Sequence, residues 1–153
     1  MKILHGSDIC SVQTGVIIHQ CNAQGKMNSG VAKALRLKYP KIWESYSRVV
    51  DPSLSADHGS SFLGLTIAVK VAPELFIVNA VAQQFYGKDG RKYTSYDALD
   101  RCLMQVSEDF PDEFYHLPMI GCGLGGGKWE VVQEIIKHRL DANRVTIHIK
   151  NNK

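Results

Sequence analysis

Short apolar runs rich in branched residues alternate along this chain with longer stretches of helical period, and that alternation leaves few architectures open. The strand-like runs are Lys2 to His5, Thr14 to His19, Phe62 to Val69, Leu75 to Val81, Phe114 to Ile120 and Arg144 to Ile149. Their valines, isoleucines and aromatics suit a pleated, half-buried surface. Helical patterns cover Val31 to Tyr39, Tyr96 to Phe110 and Trp129 to Leu140. In the second of these, Leu99, Cys102, Leu103, Val106 and Phe110 share one face, and in the third Val132, Ile135, Ile136 and Leu140 do. Thr94 or Ser95 stands where it can cap the second helix. A helix-sheet-helix sandwich follows, and the short turn at Pro73-Glu74 between two strand runs predicts an antiparallel pair within a mixed sheet.

With 153 residues and 44% hydrophobic content, the chain can bury a core of its own, and one domain over residues 1–153 is expected. It shows no internal repeat, low-complexity tract or linker; Asp51 to Ser61 is the longest expected loop. No apolar run approaches the ~20 residues that span a bilayer, and the first residues lack a signal-peptide apolar stretch, so a soluble, cytoplasmic protein is expected. Cys10, Cys21, Cys102 and Cys122 are scattered without zinc-ligand spacing and read as reduced thiols. The six histidines show no ligand-like spacing either; neither a metal nor a cofactor is expected. A net charge of +3 suits a small anionic ligand. The basic groups Arg36, Lys38, Lys41 and Lys88, Arg91, Lys92 read as solvated faces, so nucleic acid is not indicated as a partner.

Two segments carry candidate chemistry. Gly121, Gly123, Gly125, Gly126 and Gly127 fall within seven residues, directly after the strand run ending at Ile120 and before the helix near Trp129. Glycines there let backbone N–H groups close on an anion, and a following helix adds the positive end of its dipole. The Walker A reading fails because Cys122 and Trp129 stand where glycine and Ser/Thr are required around Gly127-Lys128. Gly121-x-Gly123-x-x-Gly126 matches the dinucleotide fingerprint literally, but too little chain follows for a Rossmann domain. The second segment runs from His19 through Asn22 and Asn28-Ser29-Gly30 to Ala32, again a strand passing through polar residues into a helix. Asn22 can donate to and accept from sugar hydroxyls, or simply form the turn; His19 can be a reactive group or a satisfied strand-end histidine. Lys38 lies nearly two turns above Val31, in line with Ala34 and Leu35, a candidate functional amine.

These residues resemble the macro domains, which recognise ADP-ribose. The matching segments are Gly6-Ser7-Asp8-Ile9; Ile17 to Asn22 with Gly30-Val31-Ala32 and Lys38-Tyr39-Pro40; Val81-Ala82-Gln83 with Tyr93 to Leu99; and Pro118 to Gly126 leading into Trp129-Glu130. The stretch Val81-Ala82-Gln83 with Tyr93 to Leu99 is similar to the middle of small macro domains of the ADP-ribose 1''-phosphate phosphatase type. The resemblance implies a three-layer α/β/α sandwich around a mixed, mostly parallel sheet. It implies adenine beside Asp8 and Ile9, a diphosphate between Asn28-Ser29-Gly30 and the loop Gly121, Cys122, Gly123, Leu124, Gly125, Gly126, and the distal ribose near Asn22. In the phosphatase type the residue matching His19 is the catalytic group. In the related terminal ADP-ribose protein glycohydrolase subgroup, chemistry uses a lysine matching Lys38 and an aspartate whose position here is Gly125. The first expectation is therefore hydrolysis of ADP-ribose 1''-phosphate through His19. Alternatives are a non-catalytic reader of ADP-ribose and a hydrolase that frees ADP-ribosylated protein through Lys38.

Overall fold

The computed structural model describes residues 1–151. Its strands are β1 (Lys2–His5), β2 (Gly15–Asn22), β3 (Thr66–Ala72), β4 (Leu75–Gln83), β5 (Tyr115–Leu117) and β6 (Val145–Ile149). Its helices are α1 (Gly30–Lys38), α2 (Lys41–Val49), α3 (Tyr96–Asp109) and α4 (Trp129–Arg139). The strands form one sheet in the order β1-β6-β5-β2-β4-β3. Only β3 and β4 run antiparallel; all other neighbours are parallel. The three-layer sandwich with a mixed, mostly parallel sheet is thus what the chain forms.

β2, at the centre, is buried on both faces, as a parallel strand covered by helices must be. Alternate side chains divide between two cores. Val16 and Ile18 meet Leu99, Leu103, Val132 and Ile136 of α3 and α4. Ile17 and Cys21 meet Leu35, Ile42 and Tyr46 of α1 and α2. Ser95, rather than Thr94, caps α3, its hydroxyl accepting from the Ala98 N–H at 3.2 Å. Helix α2 has no counterpart among the sequence expectations, and the run beginning at Phe62 starts with a 3-10 turn, Ser60–Phe62, so that β3 begins only at Thr66.

This topology creates one position of consequence. β2 leads towards α1 on one face, whereas its neighbour β5 leads into α4 on the other. The two connections part at the carboxyl ends of the strands and leave a crevice there, the usual ligand position in open α/β sheets.

Candidate functional site

A cleft of about 970 Å³ occupies that crevice, large enough for a nucleotide-sized ligand. Asp8, Ile9, Asn22, Asn28, Ser29, Gly30 and Gly121 through Gly125 all line it, so segments far apart in sequence converge. Gly126 is the one expected ligand residue that does not. Its φ of +73° and the 2.6 Å from its would-be Cβ to the Arg91 carbonyl explain a glycine there by backbone conformation instead.

One wall is the amino end of α1. Ser29 caps it in extended conformation without a side-chain capping bond, and the first intrahelical bond of that turn is Lys33 N–H to the Ser29 carbonyl at 3.2 Å. The preceding N–H groups thus face the cleft with no capping partner, and the helix dipole adds positive potential. The opposite wall is the glycine loop. Its internal bonds are Cys122 N–H to Met119, Gly126 N–H to Gly123 and Gly127 N–H to Gly121, none of which uses the N–H of Gly123, Leu124 or Gly125. A Cβ at Gly123 would meet nothing within 4 Å, so this part of the loop is open. Two sets of amide donors facing each other form an anion-binding concavity. The amino end of α4, expected to contribute its dipole, does not reach the wall: neither Trp129 nor Glu130 lines the cleft.

The loop rests on a polar network. Gln20 Nε2 donates to Gln83 Oε1 and to Thr94 Oγ1, both at 2.8 Å, and Thr94 Oγ1 donates to the Gly121 carbonyl at 2.8 Å. Gln83 is oriented in turn by its Nε2, which donates to the Phe85 carbonyl at 2.8 Å. Gln20 Oε1 is left as the one buried side-chain oxygen or nitrogen without a partner among the described residues. A Cβ at Gly125 would lie 2.4 Å from Thr94 Oγ1 and 2.9 Å from the Gly121 carbonyl. No side chain fits at 125 while this network stands.

Asn22 sits at the end of β2, 8% exposed. Its Oδ1 accepts from the Gln24 N–H at 2.9 Å and the Lys26 N–H at 3.3 Å, and its Nδ2 donates to the Lys26 carbonyl at 2.8 Å. Tyr46, wholly buried, donates to the Asn22 carbonyl at 2.5 Å. Asn22 therefore organises its own turn and keeps one N–H for the cleft.

His19 lies on the α1/α2 face of β2 at the cleft floor, 1% exposed. Asn79 donates through Nδ2 to the Ile42 carbonyl at 3.1 Å, which turns its Oδ1 to His19 Nε2 at 2.6 Å. Nε2 must then carry the proton, and Nδ1 holds the lone pair, with the Cys21 Sγ 3.9 Å from it. Burial depresses the imidazole from 6.5 to about 4, only partly offset by the Asn79 bond, so the ring is neutral at physiological pH. Lys38 stands apart. Only Leu35 of α1 is buried, and the exposed Lys38 does not line the cleft; its Nζ donates to the carbonyl of the cleft residue Cys10 at 2.5 Å.

Several lining residues escaped the sequence reading: Ser7, Tyr86, Lys88, His148 and Lys150. All but Ser7 lie at or just beyond the carboxyl ends of β4 and β6, the position that the rule for open sheets marks for ligand contact. Asp8 Oδ1 accepts from the Cys10 N–H at 2.9 Å, which holds the carboxylate below its ordinary value, and Lys150 Nζ lies 3.7 Å from Oδ2. Burial raises the Cys10, Cys21, Cys102 and Cys122 thiols, and none is in a disulfide. No group of three or more His, Cys, Asp or Glu suited to a metal occurs among the described residues, nor does any helix long and apolar enough to cross a membrane.

Comparison with known proteins agrees with this geometry. The sequence profile described as the macro domain matches residues 18–136. An uncharacterised 17.5 kDa protein of Enterobacteria phage T4 is 28% identical over 128 residues, covering 78% of this chain and 76% of its own. A solved structure of a Bacteroides thetaiotaomicron protein of unknown function is 29% identical, covers 99% of both chains and superposes with a TM-score of 0.78. The Thermosipho africanus DarTG structure, in complex with ADP-ribose, shares the fold at 13% identity and a TM-score of 0.73, over 99% of this chain and 42% of that one.

Proposed function

The chain belongs to the macro domain family, and from that premise we propose that its cleft binds ADP-ribose and that the protein hydrolyses ADP-ribose 1''-phosphate to ADP-ribose and phosphate. The observation that carries the binding is the pair of facing amide walls, from α1 and the glycine loop, in a cleft of about 970 Å³ that also reaches Asp8 and Ile9. Asp8 and Ile9 would contact adenine, Ser29, Gly30 and Gly121 to Gly125 the diphosphate, with Asn28 at the rim, and the remaining Asn22 N–H the distal ribose. Two dipolar walls stabilise a dianion without a large net charge. That the Thermosipho africanus DarTG, which shares this fold over 42% of its chain, is in complex with ADP-ribose is consistent with this.

For hydrolysis, His19 would offer Nδ1 to a water or to the departing oxygen, oriented by Asn79 through Nε2. A neutral ring at pH 7 suits a base, and its low value makes it a weak one. The same burial favours a second reading, a reader without turnover, in which His19 is only a packed strand residue. The Lys38 route to protein de-ADP-ribosylation receives no support: the amine is off the cleft wall and position 125 has no space for an acidic partner.

Calorimetry with ADP-ribose tests the binding, and the absence of heat at millimolar ligand would end the assignment. Phosphate release from ADP-ribose 1''-phosphate by the wild type and by His19→Ala then separates the readings. Loss in the variant with ADP-ribose affinity retained supports catalysis. No release by either protein leaves the reader, and equal release removes His19 from the chemistry.

A further inference from the structure

Three lysines line the cleft, Lys26, Lys88 and Lys150, against a single carboxylate, that of Asp8. The carboxylate and one lysine are neighbours: Lys150 Nζ lies 3.7 Å from Asp8 Oδ2, so charge is balanced at the β6 end. Lys26 and Lys88 stand at the opposite end. In the sheet order β6-β5-β2-β4, the cleft runs from Asp8 and Lys150, past the glycine loop, to Asn22 of β2 and Gln83 of β4, which are register partners. Lys26 reaches this end from the connection between β2 and α1. Its N–H donates to Asn22 Oδ1 at 3.3 Å, and its carbonyl accepts from Asn22 Nδ2 at 2.8 Å. Lys88 reaches it from the connection between β4 and α3, just beyond Gln83.

Neither of these two lysines forms an ion pair among the described residues. Asp89, next to Lys88 in sequence, is engaged elsewhere and does not line the cleft. Its Oδ1 accepts from the Tyr93 hydroxyl at 2.8 Å and from the Arg91 N–H at 3.2 Å, and its Oδ2 lies 3.3 Å from Arg91 Nε. A Cβ at Gly87 would collide with the Tyr93 hydroxyl, so the backbone before Lys88 rests directly on that tyrosine. The cleft is therefore electrically lopsided, balanced where Asp8 stands and carrying two unpaired positive charges at the Asn22 end.

We propose that Lys26 and Lys88 form a third anion subsite at the β4 end of the cleft, which takes a phosphate monoester carried on the distal ribose and distinguishes ADP-ribose 1''-phosphate from ADP-ribose. The proposal rests on the reading of the cleft as an ADP-ribose site with its distal ribose at Asn22. The amide walls already serve the diphosphate, so the two lysines are left for a group beyond that ribose. A phosphate monoester is close to dianionic at pH 7 and matches two ammonium groups in charge. The product, having lost that phosphate, is held by the amides alone. Lys26 and Lys88 are thus specificity-determining residues, and substrate outcompetes product for the cleft.

The test uses ADP-ribose and the analogue of ADP-ribose 1''-phosphate in which a methylene group replaces the bridging oxygen, a ligand that cannot be hydrolysed. Affinities are measured by calorimetry at about pH 8, where the phosphonate is dianionic, in about 50 mM salt. The wild type should bind the analogue about tenfold more tightly than ADP-ribose. Lys26→Gln and Lys88→Gln should each cut that ratio about threefold, the size of one exposed ion pair, and the double variant should bring it near one. The double variant Lys33→Gln, Lys137→Gln removes two charges from outside the cleft and should keep the ratio. All four side chains are exposed, and melting curves establish that each variant is folded. Raising the salt to about 500 mM should shrink the wild-type ratio, because charges at the surface are screened. A wild-type ratio near one, a ratio indifferent to salt, or a ratio that survives the loss of Lys26 and Lys88 overturns the proposal and leaves the ADP-ribose reading intact. Equal loss of affinity for both ligands without Lys26 and Lys88 also overturns it, by assigning the lysines to the diphosphate. An equal fall of the ratio in the Lys33 and Lys137 variant overturns it in favour of net charge. Failure of the wild type to bind ADP-ribose overturns the underlying reading and this proposal with it.

Discussion

Acidification addresses His19 directly. The ring is 1% exposed, its charged form would lose its hydration, and one hydrogen bond to Asn79 offsets only part of that cost. The pKa is about 4 in the folded protein against an ordinary value of 6.5. Between those values the unfolded chain binds a proton that the folded chain does not, so stability is complete above pH 6.5 and falls as the pH drops through the window. At about 1.4 kcal/mol per pH unit, lowering the pH from 7 to 5 removes about 2 kcal/mol through His19 alone. Urea unfolding at pH 7, 6 and 5 should show the wild type losing that much more than His19→Gln over the same range. His116 and His148, also depressed by burial, push in the same direction in both proteins and cancel in the comparison. The depressed carboxylates, Asp8 among them, act only below their ordinary value of 3.8. Parallel losses in the two proteins, within about 0.5 kcal/mol, would refute the reasoning. So would a His19 ring signal titrating near 6.5 by NMR.

Three substitutions probe the walls of the cleft. Gly125→Asp drives a Cβ to 2.4 Å from Thr94 Oγ1 and should destabilise the fold by about 1–3 kcal/mol, visible as a lower melting temperature, and abolish ADP-ribose binding. Gly123→Glu enters open space, so melting should be unchanged while affinity measured by calorimetry falls at least tenfold from the carboxylate facing the diphosphate. Tyr46→Phe removes the buried hydroxyl that holds the Asn22 carbonyl and should cost about 1–2 kcal/mol in urea unfolding, with a few-fold weaker ADP-ribose affinity.

Much of the architecture was legible because local period and burial agree. Each of the six apolar runs overlaps a strand, β2, β3 and β4 running on past the expected ends, and the antiparallel β3–β4 pair follows from the turn at Pro73-Glu74. Helix α2 lies beyond the helical pattern read over Val31 to Tyr39, separated from it by Pro40. Pro40 occupies the N-cap of α2, where its missing N–H costs nothing, and Ile42, Tyr46 and Val50 then recur at i, i+4 and i+8 on the buried face. The loops of the cleft were legible from glycine density and from the strand-loop-helix order. What could not be read is how much of each polar side chain remains free. The amide of Asn22 is largely used within its own turn, and Lys38 leaves the apolar stripe once Leu35 has taken the core position. Ser7 and His148 meet only because β1 and β6 are neighbours in the sheet, a pairing that spans most of the chain and leaves no local pattern.

The order of polarity along the cleft joins these pieces. At the β6 end the wall presents the Asp8 carboxylate, with Lys150 Nζ 3.7 Å from its Oδ2; in the middle it presents donors, the free amides of α1 and of the glycine loop. A ligand complementary to both carries N–H donors at one end and an anion beyond it, which is the arrangement of an aminopurine joined to a diphosphate. Neither zone depends on a surface lysine, whose charge would be screened by salt at about 10 Å. Binding governed by fixed amides should therefore weaken only modestly between 50 and 500 mM salt. A fall of a hundredfold over that range would assign the affinity to Lys26, Lys88 and Lys150 on the rim instead, and would remove the facing amide walls as its source.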